Sequence, residues 1–445
     1  MSERFDLLIR GGTLVNHDGI APGDVGIRAG RIADVGDLSG ADAETVVPAQ
    51  GLHVLPGVID SQVHFREPGN EHKEDLESGS RAAVLGGVTG LFEMPNTSPL
   101  TTSAEALQDK LDRARGRMWC DHAFYVGATA ENAEELGTLE RLPGVCGVKI
   151  FMGASTGDLL TEDDATLRRI FAHTRRRCAV HAEDEMRLRE RKHVAEEAAD
   201  PRAHPDWRDA ETAFRATRRL VAVAREFAQR IHVLHITTAE EIAFLADCRD
   251  VASVEVTPQH LTLAAPDCYE ELGARAQMNP PVRSREHRDG LWRGIRTGVV
   301  DVIGSDHAPH TLEEKARPYP QSPSGMTGVQ TLVPIMLNHV HEGRLSLLRF
   351  VDLTSAGPAR LFGLRGKGRL AAGYDADLTL VDLAERRVIE DDWIASKSRW
   401  TPFAGRSVTG WPRATIIRGR IVMRDDELLG APDGEPMGFW ETQHL

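Results

Sequence analysis

The sequence lacks both an excess of basic residues and any long apolar run. It contains 53 Lys+Arg against 67 Asp+Glu, which gives a formal net charge of −14 at pH 7. Proteins that bind nucleic acids or anionic membranes need a basic footprint, so this charge argues against both classes. No stretch approaches the roughly 18 uninterrupted apolar residues of a membrane span, and the charged start does not resemble a secretory signal. We therefore expect a soluble, cytoplasmic protein that binds neither nucleic acid nor membrane.

Cysteine is also scarce in this sequence. There are five cysteines, an odd number, and they lie far apart at Cys120, Cys146, Cys178, Cys248 and Cys268. None belongs to a Cys-x-x-Cys pair, so neither a disulfide framework nor a cysteine zinc site is indicated. We interpret all five as reduced thiols in the core of the protein.

The rest of the composition is that of an ordinary globular protein, with 445 residues, 41% hydrophobic and 27% charged. This length suits one α/β barrel of roughly 250 residues plus a small accessory domain. Short strand-like runs with glycine turns occur near both chain ends, for example Asp6–Arg10, Ala376–Val381 and Ala414–Val422. We therefore expect residues 1–52 and 361–445 to form one composite β-sandwich domain.

Between these two segments, strand-like runs alternate with helix-like ones, which is the pattern of parallel βαβ units. Eight strands are predicted, at His53–Asp60, Thr89–Pro95, His122–Ala128, Val145–Met152, Arg177–Glu183, Ile231–Thr237, Val251–His260 and Asp301–Pro309. Eight is the number that a (β/α)₈ barrel, or TIM barrel, requires. We predict such a barrel over residues 53–360.

Polar residues follow most of the predicted strands, at the ends where the active sites of such barrels form. Four of them, on separate strands, are of metal-ligand types: His64, His181, His235 and Asp306. A single histidine at a strand end is more often a hydrogen-bonded structural residue. Several imidazoles converging with a carboxylate suit zinc or a similar divalent metal, so the pattern predicts a metal site.

Lys149 and Asp306 lie in or beside apolar strands, where a charge is costly unless it is paired. One interpretation of Lys149 is a salt-bridged lysine. The other is a desolvated lysine that loses its proton and adds carbon dioxide, because the resulting carbamate is a carboxylate-like metal ligand. Asp306, beside a metal-bound water, would act as ligand and general base.

Arg66 and Asn96 do not suit a metal, because a guanidinium cannot bind a cation and an amide binds one weakly. Both suit an anionic substrate group, since Arg offers a bidentate fork to a carboxylate. The alternative is that Arg66 merely bridges to the neighbouring Glu67. In so acidic a protein, the first interpretation predicts a specific anion at this point.

Together these residues resemble the amidohydrolase superfamily and, within it, the longer dihydroorotases that have a composite β domain. The matching stretches are Pro56–Asp60, His64–Gly69, Met94–Thr97, Val148–Phe151, Val180–Asp184, Leu234–Thr237, Glu255–Pro258, Met278–Pro281, Gly304–His310, Gly325–Gly328 and Gly368–Asp377. The resemblance extends nearly from end to end of the chain, and Gly325–Gly328 is similar to the active-site loop of the family. The allantoinases and hydantoinases of the same superfamily usually differ at Met94–Thr97 and Gly304–His310.

The resemblance implies reversible hydrolysis of the ring amide of dihydroorotate to N-carbamoyl-aspartate, a step of de novo pyrimidine synthesis. It implies one or two zinc ions held by His64, carbamylated Lys149, His181, His235 and Asp306. It further implies that Arg66, Asn96 and His310 bind the substrate carboxylate and that Asn279 contacts the ring. Asp306 would be the catalytic residue that accepts a proton and passes it to the leaving nitrogen.

Two residues depart from the pattern of the family. The first predicted strand reads Gln62-Val-His64, where relatives have His-x-His, and Gln259 stands where relatives often have histidine. Because alternate residues of a strand face the same side, Gln62 is expected to point at the metal with His64. Glutamine offers only a weak carbonyl ligand, so we expect one metal subsite to be weakened or empty.

Two other functions remain open from the sequence. One is a non-catalytic dihydroorotase-like subunit that supports aspartate transcarbamoylase, which Gln62 favours but the retained site residues oppose. The other is a cyclic amidase for allantoin or a hydantoin, which would have no use for Arg66, Asn96 and His310. Because barrels of this superfamily commonly self-associate, we also expect a homo-oligomer.

Overall fold

Two β-sheets contain all seventeen strands of the described chain, which comprises residues 4–154, 159–161 and 163–442 of the computed structural model. The strands are β1 (Phe5–Asn16), β2 (Gly19–Arg28), β3 (Arg31–Gly36), β4 (Ala43–Pro48), β5 (His53–Pro56), β6 (Val58–Val63), β7 (Val88–Glu93), β8 (Asp121–Gly127), β9 (Val145–Phe151), β10 (Cys178–His181), β11 (Ile231–Val233), β12 (Ala252–Val256), β13 (Val302–Ile303), β14 (Leu378–Val388), β15 (Ser407–Ile417), β16 (Arg420–Arg424) and β17 (Glu427–Leu428).

The helices lie mainly between the strands of the second sheet. They are α1 (Leu76–Leu85), α2 (Ala104–Ala114), α3 (Leu136–Leu139), α4 (Asp164–His173), α5 (Glu185–Glu190), α6 (Lys192–Ala198), α7 (His204–Trp207), α8 (Ala210–Glu226), α9 (Ala239–Leu245), α10 (Pro258–Thr262), α11 (Asp267–Leu272), α12 (Arg285–Thr297), α13 (Leu312–Lys315), α14 (Leu332–His341), α15 (Leu347–Val351) and α16 (Gly357–Phe362). Short 3₁₀ turns span Pro201–Ala203, Gly273–Ala276 and Asp391–Trp393, and a π-helical turn spans Asp352–Ala356.

The first sheet is mixed and contains strands from both chain ends, as predicted. Its order is β17-β16-β15-β14-β5-β1-β2-β3, with β4 beside β1. Strand β5 joins the two halves, because it pairs with β1 on one side and with β14 on the other. Apolar side chains from both halves, such as Leu7, Ile27, Val54, Leu378 and Ile416, share one core.

The predicted first barrel strand, His53–Asp60, is in fact two strands in different sheets. Strand β5 belongs to the mixed sheet and β6 to the barrel, and Gly57 separates them. A side chain at Gly57 would collide with the Thr89 hydroxyl, so only glycine lets the backbone pass here. The two sheets meet at this glycine. We propose, as the sequence predicts, that residues 53–360 form the barrel domain and that residues 1–52 and 361–445 form the second domain.

The second sheet contains the eight parallel strands β6 to β13 in chain order, which confirms the predicted (β/α)₈ barrel. The first and last strands meet at a bridge between Val63 and His307, where the His64 N–H donates to the His307 carbonyl at 2.7 Å. The strands are buried along their length, so they appear as continuous apolar runs in the sequence.

Several barrel strands end earlier than predicted. Strands β11 and β13 stop at Val233 and Ile303, so His235 and Asp306 lie in the turns that follow, with φ of 38° and 45°. Such left-handed backbone is uncommon outside glycine and concentrates at functional sites. Gln259, predicted at the end of the seventh strand, lies in helix α10 instead.

The end of the barrel away from these turns is filled with apolar side chains. Phe92 and Tyr125 of the strands pack edge-on against Phe362, and Phe439 of the C-terminal segment lies beside Phe92. This packing closes the barrel interior on that side. The five cysteines are buried free thiols, as predicted, and within the described residues no helix is long and apolar enough to span a membrane.

Candidate active site

The carboxyl ends of the barrel strands surround one small pocket. It is lined by Gln62, His64, Arg66, Lys149, Phe151, His181, His235, Asn279, Asp306, Ala308, Ser324 and Gly325. Seven of the predicted site residues are therefore brought to one place. Asn96 and His310 lie one step behind the lining, because Asn96 contacts His64 and His310 contacts Arg66.

Asp306 is the centre of a buried polar cluster at the carboxyl ends of the first and last barrel strands. Its Oδ1 accepts a hydrogen bond from Gln62 Nε2 at 2.9 Å and lies 3.3 Å from His64 Nε2. Burial opposes ionisation, but neighbouring groups, the ammonium of Lys149 among them, lower the pKa of Asp306. Asp306 is thus held as a carboxylate, and Gln62 shares its face with His64 as the alternation predicts.

His64 has its two ring nitrogens in different surroundings. Its Nδ1 lies 2.8 Å from Asn96 Oδ1, which accepts a hydrogen bond from the ring N–H. Burial lowers the pKa of His64, so the ring is neutral and its Nε2 lone pair faces the Asp306 carboxylate. Two acceptors that face each other across 3.3 Å need a cation or a proton between them.

His181, at the end of strand β10, and His235, in the turn after strand β11, form a second pair. His181 Nε2 lies 3.0 Å from Glu183, which Arg208 keeps ionised, so this nitrogen donates and His181 Nδ1 carries the lone pair. That lone pair points at His235 Nε2, 3.1 Å away, while His235 Nδ1 is buried without a hydrogen-bond partner among the described residues. Burial, followed by the neighbouring His181, lowers the pKa of His235 well below its usual value.

Lys149 of strand β9 projects into the pocket and forms no ion pair among the described residues. Its side chain is fully buried, and Nζ has no hydrogen-bond partner in the described part of the chain. The ammonium lies 4.3 Å from the centre of the Phe151 ring. Burial outweighs the distant Asp306 and Glu255 and lowers the pKa of Lys149 to about 7. The alternative of a salt-bridged lysine is therefore not realised in this structure.

Arg66 presents a positive charge at the other side of the pocket. Its Nε donates to the Pro309 carbonyl at 3.2 Å and Nη2 lies 3.2 Å from His310 Nε2, but no ion pair to Arg66 occurs within the described residues. Burial lowers the pKa of Arg66 to about 10, so the group stays charged at neutral pH. Glu67 forms its ion pair with Arg117 instead, so the alternative bridge from Arg66 to Glu67 is absent.

The predicted loop Gly325–Gly328 contributes the last wall of the pocket. Its Gly325 has φ of 143°, and a side chain there would collide with the Ala308 carbonyl. Buried Lys315 holds the loop in place by donating to the carbonyls of Gln277, Pro323 and Gly325 at 3.3, 2.8 and 3.1 Å.

Several residues that shape the site are not predicted from the sequence. Glu183 and Arg208 orient His181, and Ser324 lines the pocket and accepts a hydrogen bond from His310 through its carbonyl. The His181-Ala-Glu183 spacing was a visible signal, but Arg208 lies 25 residues away from its partner. Gln259 donates to the Ser305 carbonyl at 2.8 Å, behind the pocket rather than in it.

The side chains as arranged do not already form a metal centre. Among the described residues no three His, Cys, Asp or Glu side chains are gathered as ligands, since His181 and His235 contact each other instead. The donor set nevertheless fits a divalent cation. Within the described residues, Lys149 Nζ, His235 Nδ1 and Gln62 Oε1 are buried without a hydrogen-bond partner, beside the facing acceptors of His64 and Asp306.

Comparison with known proteins gives one family and a consistent set of relatives. The family model named amidohydrolase family matches residues 53–422. A dihydroorotase of Halobacterium salinarum is 39% identical over 419 residues, covering 92% of this chain and 95% of that protein. An allantoinase of Rubrobacter xylanophilus is 35% identical over 446 residues, covering 97% of each chain. The solved structure of an L-hydantoinase (dihydropyrimidinase) from Arthrobacter aurescens superposes with a TM-score of 0.93 at 30% identity, covering 97% of this chain and 99% of that one.

Proposed function

Because this chain belongs to the amidohydrolase family, we propose that it is a dihydroorotase, which reversibly hydrolyses the ring amide of dihydroorotate to N-carbamoyl-aspartate. Full-length relatives named dihydroorotase, at 33–39% identity, support this proposal. The observation that carries it is the buried Arg66 guanidinium, which has no acidic partner in the described chain and shares one pocket with Lys149 and Asp306. Such a pocket suits a ring amide whose molecule also bears a carboxylate.

Arg66 would bind the substrate carboxylate. Asn96 and His310 support it, because Asn96 fixes the His64 ring and His310 lies between Arg66, Lys73 and the Ser324 carbonyl. Burial lowers the pKa of His310 to about 3, so His310 remains neutral and does not compete with Arg66 as a charge. The carboxylate would thus be oriented by one cation in a fixed position.

A divalent metal, for which we propose zinc, would be held by His64, Lys149 as its carbamate, His181, His235 and Asp306. When bound, such a metal makes a water molecule acidic near neutral pH and polarises a carbonyl group. Lys149 suits carbamylation because its lowered pKa leaves much of the amine neutral at pH 7. Gln62 is bound to Asp306 through Nε2, so only its weaker carbonyl Oε1 remains available as a ligand.

Asp306 is the residue placed to move the proton. It is a carboxylate in the resting site and lies among neutral imidazoles, so it can accept a proton from the attacking water. Its low pKa makes it a ready donor once protonated, and the leaving ring nitrogen would take the proton. Glu183 and Arg208 keep the His181 ring in one orientation throughout this transfer.

A cyclic amidase acting on allantoin or a hydantoin is the second candidate. Relatives named allantoinase at 34–35% identity and hydantoinase structures support this class of reaction. Arg66 distinguishes the two candidates, because neither of those rings carries a carboxylate for it. A non-catalytic subunit is favoured only by Gln62, whereas Lys149, His181, His235 and Asp306 all remain.

We extend the proposal to the setting of the protein. A dihydroorotase acts in de novo pyrimidine synthesis, and we propose a cytoplasmic homo-oligomer that associates with aspartate transcarbamoylase. Size-exclusion chromatography with light scattering, with and without that enzyme, tests the two associations.

The deciding experiment is turnover of dihydroorotate by protein reconstituted with zinc and bicarbonate, with bound metal quantified in the same sample. We expect turnover with about one metal per chain, since Gln62 weakens the second subsite. Allantoin and hydantoin assayed in parallel serve as controls. Metal-loaded protein that turns over only those rings supports the second candidate, and loaded protein without any turnover supports the non-catalytic subunit.

A further inference from the structure

His204 lies directly behind Asn279 and has no part in the chemistry described above. It begins helix α7 and is 1% exposed. Its Nε2 lies 3.1 Å from the Met278 carbonyl, 3.0 Å from Asn279 Oδ1 and 3.4 Å from Ser324 Oγ. Its Nδ1 lies 3.4 Å from the Tyr319 hydroxyl. Both nitrogens of this buried ring therefore have polar neighbours.

The chemistry of these neighbours decides which nitrogen carries the hydrogen. The Met278 carbonyl can only accept, so His204 Nε2 must be the donor. Burial lowers the pKa of His204 to about 3, so the ring is neutral and Nδ1 keeps its lone pair. That lone pair accepts from the Tyr319 hydroxyl.

The same Nε2–H faces the side-chain amide of Asn279, which lines the pocket. A donor at 3.0 Å favours the amide oxygen and repels the amide N–H₂ group. The oxygen of Asn279 is thereby turned toward His204, and the N–H₂ group is left for the pocket. Neither orientation could be chosen from Asn279 alone, because its two ends have the same shape.

We propose that His204 is a positioning residue that fixes the Asn279 amide so that its N–H₂ group faces the bound ring. The proposal rests on dihydroorotate hydrolysis, since it requires a ring that presents a carbonyl oxygen to this donor. It makes His204 a determinant of specificity. A ring that presents an N–H group at this place meets another donor and is disfavoured.

A purely structural role for His204 is the competing explanation, since its ring packs edge-on against Trp207 and Tyr319. Two substitutions separate the roles. His204→Phe keeps an aromatic ring for packing but removes the N–H. His204→Gln loses the ring but keeps a side-chain N–H of similar reach, so it should restore the amide orientation.

The first test is steady-state kinetics of both variants on dihydroorotate, with Tyr319→Phe as a reference for loss of the outer hydrogen bond. We expect His204→Phe to raise KM about tenfold, as loss of one buried hydrogen bond would, and to change kcat less than about threefold. His204→Gln should stay within about threefold of the unaltered protein. An unchanged KM in folded His204→Phe, or equal impairment of both variants, would overturn the proposal.

The second test does not depend on activity. In protein labelled with ¹⁵N-histidine, the signals lost in His204→Gln identify this ring, and their shifts give its tautomer. We expect the neutral Nε2–H form from pH 5 to 8, whereas an Nδ1–H form or an imidazolium would refute the proposal. If the unaltered protein does not turn over dihydroorotate, the proposed function fails, and the tautomer still decides whether His204 can orient Asn279.

Discussion

Two buried lysines, one on a barrel strand and one in the segment that leads to β14, have opposite surroundings. Lys149, at the carboxyl end of β9, has no polar partner within the described chain. Lys367 lies beside the start of β8 and contacts three carboxylates, those of Asp121 at 2.8 Å, Asp375 at 3.2 Å and Asp377. Burial lowers the pKa of Lys149 to about 7, whereas in Lys367 the carboxylates outweigh burial and raise the pKa.

The difference separates structural charges from functional ones. A buried charge is stable only when it is paired, so Lys367 joins the barrel to the mixed sheet at little cost. The other two buried lysines of the described chain also have partners, Lys110 at Glu93 and Lys315 at three carbonyls. Among the buried lysines of the described chain, Lys149 alone has neither a counter-ion nor a hydrogen-bond acceptor, and we infer that the fold tolerates this because the group has another use.

Replacing Lys149 is expected to have the largest effect. Lys149→Met should lower kcat/KM for dihydroorotate about 10³-fold or more, because it removes a proposed metal ligand at the reacting centre. Bound metal should fall in the same preparation. Thermal stability at pH 7 should not fall, since the substitution removes an unpaired buried charge. A variant that retains a tenth of the activity would show that Lys149 is not a ligand.

Replacing Lys367 should have the opposite effect, a loss of stability with activity retained. Lys367→Met removes the cation shared by three carboxylates. Asp121 still pairs with Arg418 and Asp375 with Arg31, but buried Asp377 is left without an ion-pair partner in the described chain, so we expect a loss of about 3 kcal/mol in unfolding free energy. The folded fraction should keep its kcat/KM. Urea-induced unfolding of Lys149→Met and Lys367→Met measures the two unfolding free energies. Equal values would contradict the difference between the two lysines.

The pH dependence of stability sharpens the same comparison. Unfolded Lys149 titrates near pH 10.5 and folded Lys149 near 7, so between these values the unfolded chain binds more protons and stability rises with pH. The destabilisation that buried Lys149 causes is therefore largest below pH 7 and disappears above pH 10.5. In metal-free, carbonate-free buffer, the stability advantage of Lys149→Met should therefore shrink by about 2 kcal/mol between pH 7 and 9.

Lys367 provides the matched control for this measurement. Its folded pKa is raised, so its contribution is complete below the unfolded pKa and is lost only as pH rises through the higher folded value. The stability deficit of Lys367→Met should therefore stay constant between pH 7 and 9. If the change in unfolding free energy varied with pH in the same way for both variants, Lys149 would not be an unpaired buried lysine.

Replacing Arg66 should have the smallest of these effects, and the effect should be on substrate binding. Arg66→Ala is expected to raise KM for dihydroorotate about 30-fold with a lesser change in kcat, the value of one charge-assisted hydrogen bond. Arg365→Ala is the control, because Arg365 is an exposed arginine outside the pocket and should leave KM unchanged. An unaltered kcat/KM in Arg66→Ala would exclude this residue as the carboxylate site.

The barrel could be predicted from the sequence because its strands are buried on both faces. Runs such as Val145–Met152 are continuous and apolar, and helix-like segments separate them. The positions at which the strands end could be predicted less accurately. His235 and Asp306 look like strand residues, but backbone with positive φ turns both out of the ladder toward the pocket.

Which residues reach the site follows from the sequence alone, since barrel topology brings the end of each strand to one face. The packing of the folded chain decided which of their atoms remain free. Lys149 could have been paired, and Arg66 could have joined Glu67, but Arg117 takes Glu67 and no acid reaches Lys149 in the described chain. Glu183 with Arg208, and His204 with Asn279, are partners 25 and 75 residues apart. Residue type sets what a side chain can bind, whereas only the tertiary structure determines whether a partner is within about 3 Å of it.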